Sequence, residues 1–288
     1  MIKVENFSLG LTVESGQPLT FYGEYRKEER AEFLRYATAK GIFGVICRHE
    51  GVHAHIDYTF EGNYTNKEAN AEITKRLGLE YDMEKIYEKI ATDSYMKAAV
   101  KTLRGMRITQ NDPWETTLCF VISQFNNIKR IRLIVRSLIK KFGEEYRDHK
   151  TETMHMFPTP ESLASASISE IRNCGTGFRD RYVKQVAEQF AYGFDAGKLY
   201  KMNYSKAKEK LMELDGVGDK VADCILLFGY KKLEAFPIDV WIKRSMEKIY
   251  FSGKKEKEKT IHDFAEKRWG RYAGYAQQYI FHYARTAP

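Results

Sequence analysis

The spacing of apolar residues changes once along the chain, near residue 66. Between residues 4 and 60 the apolar positions favour strands, and polar and apolar residues alternate clearly over His53–Phe60. Glycine or charged clusters separate these runs. We therefore expect a small, curved antiparallel β-sheet domain over residues 1–66, with strands in the segments SLGLTV, PLTFYGEY, GIFGVICR and VHAHIDYTF.

From residue 67 onward the apolar residues recur at helical spacing. Pro113 and Pro160 suit the first turn of a helix, where a proline costs no hydrogen bond. The pattern predicts an α+β protein in which residues 67–288 are mostly helical. Helices are expected at 67–79 and 83–106, then at about 113–124, 127–142, 160–172, 179–193, 204–214, 219–229, 239–249, 259–269 and 271–285.

One pair of these helices, within residues 204–229, is joined by the turn Gly216-Val217-Gly218. Glycine lets the backbone turn tightly and lets another backbone approach closely. Amide groups at the start of the second helix, helped by the helix dipole, would suit a phosphate. The stretch therefore predicts a helix–hairpin–helix with an anion-binding turn.

Three side chains near this hairpin carry candidate chemistry. Lys220 opens the second helix, and Cys224 lies one turn further along the same face. Asp239 follows the apolar run FPI, which should bring it back toward the hairpin. A lysine and a carboxylate beside an apolar wall are costly unless they are paired or used. Two non-catalytic roles remain open, because Lys220 could contact a phosphate and Asp239 could cap a helix.

The positive charge of the chain is confined to its later part. The chain carries 47 basic and 39 acidic residues, a net charge of +8. Residues 1–110 hold 16 of each, so the whole excess lies in residues 111–288. This asymmetry is typical of a polyanion-binding domain attached to a neutral one, although an ordinary basic surface explains the charge equally well.

Two polar turns in the basic part are candidates for partner contacts. Phe125-Asn126-Asn127 interrupts an apolar run, and Asn127 is expected to cap the following helix. A second glycine-rich turn ends in Phe178 and Arg179. Local packing of Phe178 and its insertion into a stack of bases both remain open.

Two further segments are less informative by themselves. Gly16, in the segment ESGQP, breaks a strand pattern and suggests a bulge or a close backbone approach. Gln277 and Phe281 share one face of the aromatic C-terminal helix. Core packing is the default role for Phe281, and a surface position is the default for Gln277.

Neither a metal site, a disulfide nor a membrane segment is indicated. Histidines at positions 49, 53 and 55 are interpreted as surface residues. No cleavable apolar start is visible, and no apolar run approaches the roughly 20 residues that span a bilayer. We expect a cytoplasmic protein. The cysteines form no C-x-x-C pair and stand far apart, at Cys47, Cys119, Cys174 and Cys224.

The motif GVGDKVADC, followed by FPIDVW, resembles the helix-hairpin-helix DNA glycosylase superfamily. The nearest branch is the 8-oxoguanine DNA glycosylase/AP lyase family, which has a lysine where Lys220 stands and an aspartate at Asp239. A glycine hairpin alone is a weak signal, since many DNA-binding proteins contain one. The lysine, the cysteine four residues later and the Pro-Ile-Asp sequence together are specific. The resemblance covers nearly the whole chain.

The resemblance implies removal of 8-oxoguanine from double-stranded DNA after the nucleotide is flipped out of the duplex. Cys224 and Phe281 would contact the two faces of the base, and Gln277 would bond its Watson–Crick edge. The Gly16 carbonyl would accept the hydrogen at N7. Guanine has an acceptor at N7 and 8-oxoguanine a donor, so this contact would select the oxidised base.

The resemblance also implies the reaction. Lys220 would attack C1′ of the deoxyribose and form a Schiff base, which permits strand cleavage by β-elimination. Asp239 would stabilise positive charge that develops on the sugar. The turn Gly216-Val217-Gly218 would hold a backbone phosphate, with a monovalent cation as an additional candidate ligand. No redox cofactor or catalytic metal is implied.

The remaining family positions imply DNA contacts. One departure is Phe125, where eukaryotic members have the first of three asparagines, which probes the cytosine left unpaired. Phenylalanine cannot read a base by hydrogen bonds, so we expect a weaker preference for cytosine opposite the lesion. A monomer in a prokaryotic cytoplasm, associated with the nucleoid, is expected. The implied DNA contacts are Phe125, Asn126, Asn127, Arg130, Phe178, Arg179, Gly216, Val217, Gly218 and Trp241.

Two alternatives compete with this interpretation. A monofunctional alkylpurine DNA glycosylase of the same superfamily would need only Asp239, and such enzymes lack a lysine at the position of Lys220. A non-catalytic helix-hairpin-helix DNA-binding protein would use the hairpin for phosphates alone. It would leave Lys220, Asp239, Gln277 and Phe281 as coincidences.

Overall fold

An antiparallel sheet of five strands begins the fold, and helices form most of the rest. The computed structural model describes residues 1–147 and 153–286. The predicted α+β class is confirmed. The strand order across the sheet is β1-β5-β4-β3-β2. These strands are β1 (Ile2–Glu5), β2 (Glu24–Lys27), β3 (Glu32–Ala37), β4 (Gly41–Glu50) and β5 (His53–Gly62).

Strands β4 and β5 form the central hairpin of this sheet, as the segments GIFGVICR and VHAHIDYTF predict. Cys47 lies opposite Ile56, and Val45 lies opposite Tyr58. Residues of one face, including Val45, Cys47 and Ile56, are buried in the core. The alternation read from the sequence therefore reflects one buried and one exposed face.

Two segments predicted as strands are short helices instead. SLGLTV contains α1 (Leu9–Val13), and PLTFYGEY contains α2 (Pro18–Tyr22) before it enters β2. The Ser8 side chain accepts a hydrogen bond from Leu11 N and so caps α1. Nearly every residue of both helices is buried, so neither shows the one-sided period that identifies a helix. Gly16 joins the two helices rather than forming a bulge within a strand.

The predicted helices beyond residue 66 are confirmed, with two corrections. The segment 83–106 is divided because Asp93 caps a new helix. The segment 160–172 is divided because Ser167 forms a capping box at a second start. The helices are α3 (Asn66–Arg76), α4 (Met83–Ile90), α5 (Ser94–Thr102), α6 (Pro113–Ser123), α7 (Ile128–Phe142), α8 (Pro160–Ser165), α9 (Ile168–Ile171), α10 (Asp180–Tyr192), α11 (Tyr204–Leu211), α12 (Asp219–Gly229), α13 (Val240–Tyr250), α14 (Glu258–Trp269) and α15 (Ala273–Thr286).

A second, two-stranded sheet was not predicted. It consists of β6 (Glu145–Arg147) and β7 (Thr153–His155), which pair antiparallel. Within the described residues, no helix is long and apolar enough to cross a membrane.

Buried polar residues fasten the sheet end of the molecule to the helices. Arg107 donates to Glu5 O at the end of β1, at 2.8 Å, and to Gly78 O in the segment after α3, at 2.9 Å. Arg76 is fully buried and pairs with Glu115. A buried charge that loses its partner is strongly destabilising, so these contacts fix the relative position of the two regions. The predicted boundary between residues 66 and 67 stays a prediction.

Candidate active site

The glycine turn between α11 and α12 has the geometry expected of a helix–hairpin–helix. Gly216 has a φ of +76°, and a Cβ placed there would lie 2.8 Å from the Tyr182 ring. Val217 N donates to Leu214 O at 3.1 Å and closes the turn. The first amides of α12, like those of any helix, have no intrahelical acceptor, and Gly218 at the N-cap offers them no side-chain acceptor either. These amides can bind an anion such as a phosphate.

Lys220 lies in the first turn of α12, beside the C-terminal end of α6. Its Nζ lies 3.4 Å from Ser123 Oγ and 5.4 Å from the centre of the Phe120 ring. Among the described residues it forms no ion pair with a carboxylate. The amine therefore faces an aromatic ring, a hydroxyl and the thiol of Cys224, with no carboxylate paired to it among the described residues.

Asp239 caps α13, since its carboxylate accepts a hydrogen bond from Ile242 N at 2.7 Å. The side chain also lines the cavity that Lys220 lines. The capping role and the site role therefore coexist at this residue. A carboxylate held by a backbone amide is fixed in orientation before any substrate arrives.

The two residues share a cavity of about 450 Å³. This volume is in the range of pockets that bind small molecules. The cavity brings together all six residues predicted for catalysis and the base pocket, and it also includes apolar side chains from α2, α6, α7 and α12. The six are Gly16, Lys220, Cys224, Asp239, Gln277 and Phe281.

The walls suit a flat, partly polar ligand. Cys224 is buried, and burial raises the pKa of its thiol to about 12, so it presents a neutral surface. A Cβ placed on Gly16 would lie 3.1 Å from the Phe281 ring and 3.3 Å from Ile128. Gln277 donates to Pro237 O at 3.2 Å, while its Oε1 is buried and has no partner among the described residues. An unpaired buried acceptor is costly unless a ligand satisfies it.

The segment between α6 and α7 lies at the edge of this cavity. Asn127 caps α7 by accepting from Arg130 N at 3.0 Å, as predicted. Asn126 donates to Ile122 O at 3.2 Å and also lines the cavity. Phe125 has a φ of +47° and a side chain that is 94% exposed. Its ring centre lies 6.4 Å from that of Phe178, which is 57% exposed.

Arg179, which the resemblance implies as a DNA contact, has its side chain directed into the protein. It is 3% exposed, and its guanidinium donates to Gln124 O at 2.7 Å and to Thr176 O at 3.2 Å. The side chain is therefore used inside the protein and supports the turn that carries Phe125. Arg130 is exposed and keeps its side chain available for a partner. Trp241 is 53% exposed and lines the cavity.

Ser123 and Arg285 are two of the cavity residues that were not predicted from the sequence. The Ser123 hydroxyl lies 3.4 Å from Lys220 Nζ, and no sequence pattern indicated it. Arg285 lines the cavity, with its guanidinium carbon 4.8 Å from the Phe281 ring centre. It follows Phe281 by four residues, so the face shared by Gln277 and Phe281 could have been extended by one turn to find it.

Clusters of potential metal ligands occur elsewhere. In one of them Lys208 already pairs with Asp223 at 3.0 Å, and its ammonium occupies the place a cation would take. In the other, His49 lies 2.9 Å from Glu32. Neither cluster contributes a residue to the cavity. All four cysteines are free and buried.

Family comparisons agree with this geometry over the whole molecule. The family described as HhH-GPD superfamily base excision DNA repair protein matches residues 118–271. The family described as 8-oxoguanine DNA glycosylase, N-terminal domain, matches residues 1–117. The fold and the site thus define a base excision DNA repair protein of the helix-hairpin-helix class. The two matches meet within α6, between residues 117 and 118, so helices α1 to α5 fall in the same match as the five-stranded sheet.

Individual relatives narrow this class. The chain is 30% identical to a probable N-glycosylase/DNA lyase of Methanothermobacter thermautotrophicus, over 99% of this chain and 96% of the relative. It is 25% identical to the N-glycosylase/DNA lyase of Saccharomyces cerevisiae, over 97% of this chain and 84% of that one. A DNA-bound Clostridium acetobutylicum 8-oxoguanine glycosylase/lyase superposes with a TM-score of 0.86 at 30% identity, covering 98% and 93% of the two chains. The protein belongs to the 8-oxoguanine DNA glycosylase/AP lyase family.

Proposed function

We propose that this protein excises 8-oxoguanine from double-stranded DNA and cleaves the strand at the resulting abasic site, with Lys220 as the nucleophile. One observation supports the roles assigned to Lys220 and Asp239. Lys220 and Asp239 come from different helices and meet in one cavity whose walls suit a purine. Neither residue is consumed by an ion pair with a neighbour among the described residues.

The base would lie between Cys224 and Phe281. Gln277 has an unpaired acceptor for the Watson–Crick edge, where guanine derivatives carry N–H donors. The Gly16 carbonyl accepts the N7 hydrogen that 8-oxoguanine has and guanine lacks. An unmatched buried acceptor costs about 1–3 kcal/mol, which corresponds to roughly ten- to hundredfold selection. This contact alone therefore gives only part of the specificity.

The reaction begins when the neutral amine of Lys220 attacks C1′. The C1′–N9 bond breaks, its electron pair leaves with the base, and a proton is delivered to the departing purine. The C1′–O4′ bond then breaks and the sugar ring opens. Its electron pair stays on O4′, which takes up a proton, while the nitrogen of Lys220 and C1′ form the Schiff base. Removal of a proton from C2′ expels the 3′ phosphate and cleaves the strand. Asp239 stabilises the cationic sugar electrostatically, a role for which its fixed orientation is suited.

The hairpin and the exposed aromatic residues would hold the duplex. The first amides of α12 bind a backbone phosphate, and Phe125 and Phe178 approach the gap left by the flipped nucleotide. A monovalent cation at the hairpin, a monomeric state and a place at the nucleoid of a prokaryotic cytoplasm remain predictions from the sequence.

A trapping experiment tests the proposed nucleophile. The protein is incubated with a duplex containing 8-oxoguanine opposite cytosine, in the presence of borohydride. The wild type and Lys206→Gln, an exposed lysine of α11 outside the cavity, should form a covalent complex, while Lys220→Gln should not.

Other outcomes identify the two alternatives. Base release by the wild type without trapping would indicate the monofunctional alkylpurine class of mechanism. Binding of abasic DNA with neither release nor trapping would leave a non-catalytic DNA-binding protein. Neither alternative gives a catalytic role to Lys220, which lines the cavity and has no ion-paired carboxylate among the described residues.

A further inference from the structure

Arg285 extends the pocket face of α15 by one turn. Gln277, Phe281 and Arg285 follow one another at intervals of four residues, and all three line the cavity. The Arg285 guanidinium lies against the Phe281 ring, with 4.8 Å between its carbon and the ring centre. A guanidinium stacked on a ring keeps its N–H groups in the plane, free to point at a neighbour.

Among the described residues, none accepts a hydrogen bond from the Arg285 guanidinium. Within residues 1–147 and 153–286 the guanidinium forms no hydrogen bond and no ion pair with a carboxylate at close range. Arginine carries five N–H donors and no acceptor. A donor group that lines a cavity without a partner is suited to an acceptor on the ligand.

The position of Arg285 indicates which ligand atom it meets. A Cβ placed on Gly16 would lie 3.6 Å from Arg285 Nη1, so the guanidinium lies beside the glycine proposed to read N7. In 8-oxoguanine the C8 oxygen is attached to the ring atom next to N7. An oxygen at C8 therefore faces the same wall as the N7 hydrogen.

We propose that Arg285 is a further specificity-determining residue that donates a hydrogen bond to the C8 oxygen of the flipped base. This inference rests on the proposed function and on the base orientation given there. Gly16 then reads the hydrogen at N7, and Arg285 reads the oxygen that oxidation adds. Guanine has a C–H group at C8, which offers no acceptor to a charged donor.

Together, the contacts of Gly16 and Arg285 favour 8-oxoguanine over guanine by more than either contact does alone. A hydrogen bond from a charged donor is among the stronger kinds in proteins. Its loss should reduce excision of 8-oxoguanine by about ten- to hundredfold. At a preformed abasic site there is no base in the pocket, so strand cleavage there should depend on Arg285 far less than excision does.

The test compares two reactions on one set of variants. Single-turnover excision of 8-oxoguanine and strand cleavage at a preformed abasic site are measured for wild type, Arg285→Leu and Arg285→Lys. Arg271→Leu is the matched control, because Arg271 also stacks on a ring, that of Tyr272 at 5.1 Å, but lies outside the cavity. We expect Arg285→Leu to lose excision about tenfold or more while cleavage at the abasic site changes far less, and Arg285→Lys to recover part of the loss.

A substrate change gives a second readout. Replacing the C8 oxygen by sulfur, a weaker acceptor, should slow the wild type more than it slows Arg285→Leu. Only the wild type has a hydrogen bond to the atom at C8 that the replacement weakens. Equal losses of excision and abasic cleavage would show a phosphate contact and overturn the proposal. An Arg285→Leu variant that excises 8-oxoguanine as fast as Arg271→Leu would also overturn the proposal. A wild type that fails to release the base at all would contradict the proposed function instead.

Discussion

The Arg179 guanidinium donates to the carbonyl oxygen of Phe125 at 3.0 Å. This contact explains how Phe125 keeps a φ of +47°, a conformation that residues other than glycine rarely adopt. The ring is 94% exposed and so contributes little to the core. A strained backbone that presents an apolar ring to solvent favours a role in binding rather than in stability. In a DNA complex such a ring can fill the space of a missing base.

Loss of Phe125 should therefore impair base excision and leave the fold intact. For Phe125→Ala we expect about ten- to hundredfold slower excision, because stacking of a base on an aromatic ring is worth about 1–3 kcal/mol. Thermal unfolding should be unchanged. Tyr192→Ala is the control, since Tyr192 is 74% exposed and lies outside the cavity. Equal effects of the two substitutions would show that the ring has no special role.

The contact between Arg179 and Phe125 also affects how the protein recognises the base opposite the lesion. Phe125 cannot form hydrogen bonds with that base, and Arg179 is engaged with Gln124 and Phe125. A good bidentate contact discriminates between bases by about 1–3 kcal/mol, and the phenyl ring of Phe125 cannot make one. We predict excision rates within about tenfold opposite all four bases. Strict dependence on cytosine, measured in single-turnover assays, would contradict this expectation.

Gly16 should be intolerant of any side chain. Its φ of +85° makes alanine unfavourable by about 1–2 kcal/mol. The added Cβ would also lie 3.1 Å from Phe281, in the slot for the base. Gly16→Ala should lose excision while strand cleavage at an abasic site continues. Gly253→Ala separates the two effects, because Gly253 has a φ of +78° but open space around it. If both variants excise equally well, Gly16 does not border the base.

The two glycines of the hairpin should differ in their sensitivity. In Gly216→Ala the Cβ would lie 2.8 Å from the Tyr182 ring and the backbone would be strained at a φ of +76°. Gly218 has an extended backbone and nothing within 4 Å of an added Cβ. We predict that Gly216→Ala weakens binding to abasic-site duplex several-fold more than Gly218→Ala. Fluorescence anisotropy at fixed salt measures both, and the reverse order would be evidence against the phosphate-binding turn.

His282 should make the protein less stable in mild acid. Burial, and secondarily the charge of Arg285, lower the pKa of His282 in the folded state. The unfolded chain, with a pKa near about 6.5, then binds a proton that the folded chain does not. Stability is therefore retained above that pKa and falls as the pH drops toward the folded-state value. Urea unfolding at pH 8 and pH 5.5 should show a smaller pH dependence in His282→Leu, and equal dependence would exclude this histidine.

The sequence predicted the catalytic stretch because its chemistry is local. The turn Gly216-Val217-Gly218, Lys220 and Cys224 lie within one short segment, and a cap or a first-turn proline marks the start of several helices. Helices α1 and α2 were misread because they are buried on nearly all sides and show no period. The inward direction of Arg179 was also not predictable, since it depends on a turn 54 residues earlier in the chain.

The pocket is assembled from opposite parts of the chain. Gln278 Nε2 donates to Ser15 O at 2.9 Å across 263 residues, and this bond ties α15 to the loop that carries Gly16. During synthesis on a ribosome, Gly16 emerges long before α15 does. A nascent chain therefore has no base-binding surface until α15 has left the exit tunnel and docked. Translation itself thus delays the appearance of a DNA-cleaving activity until the molecule has folded around it.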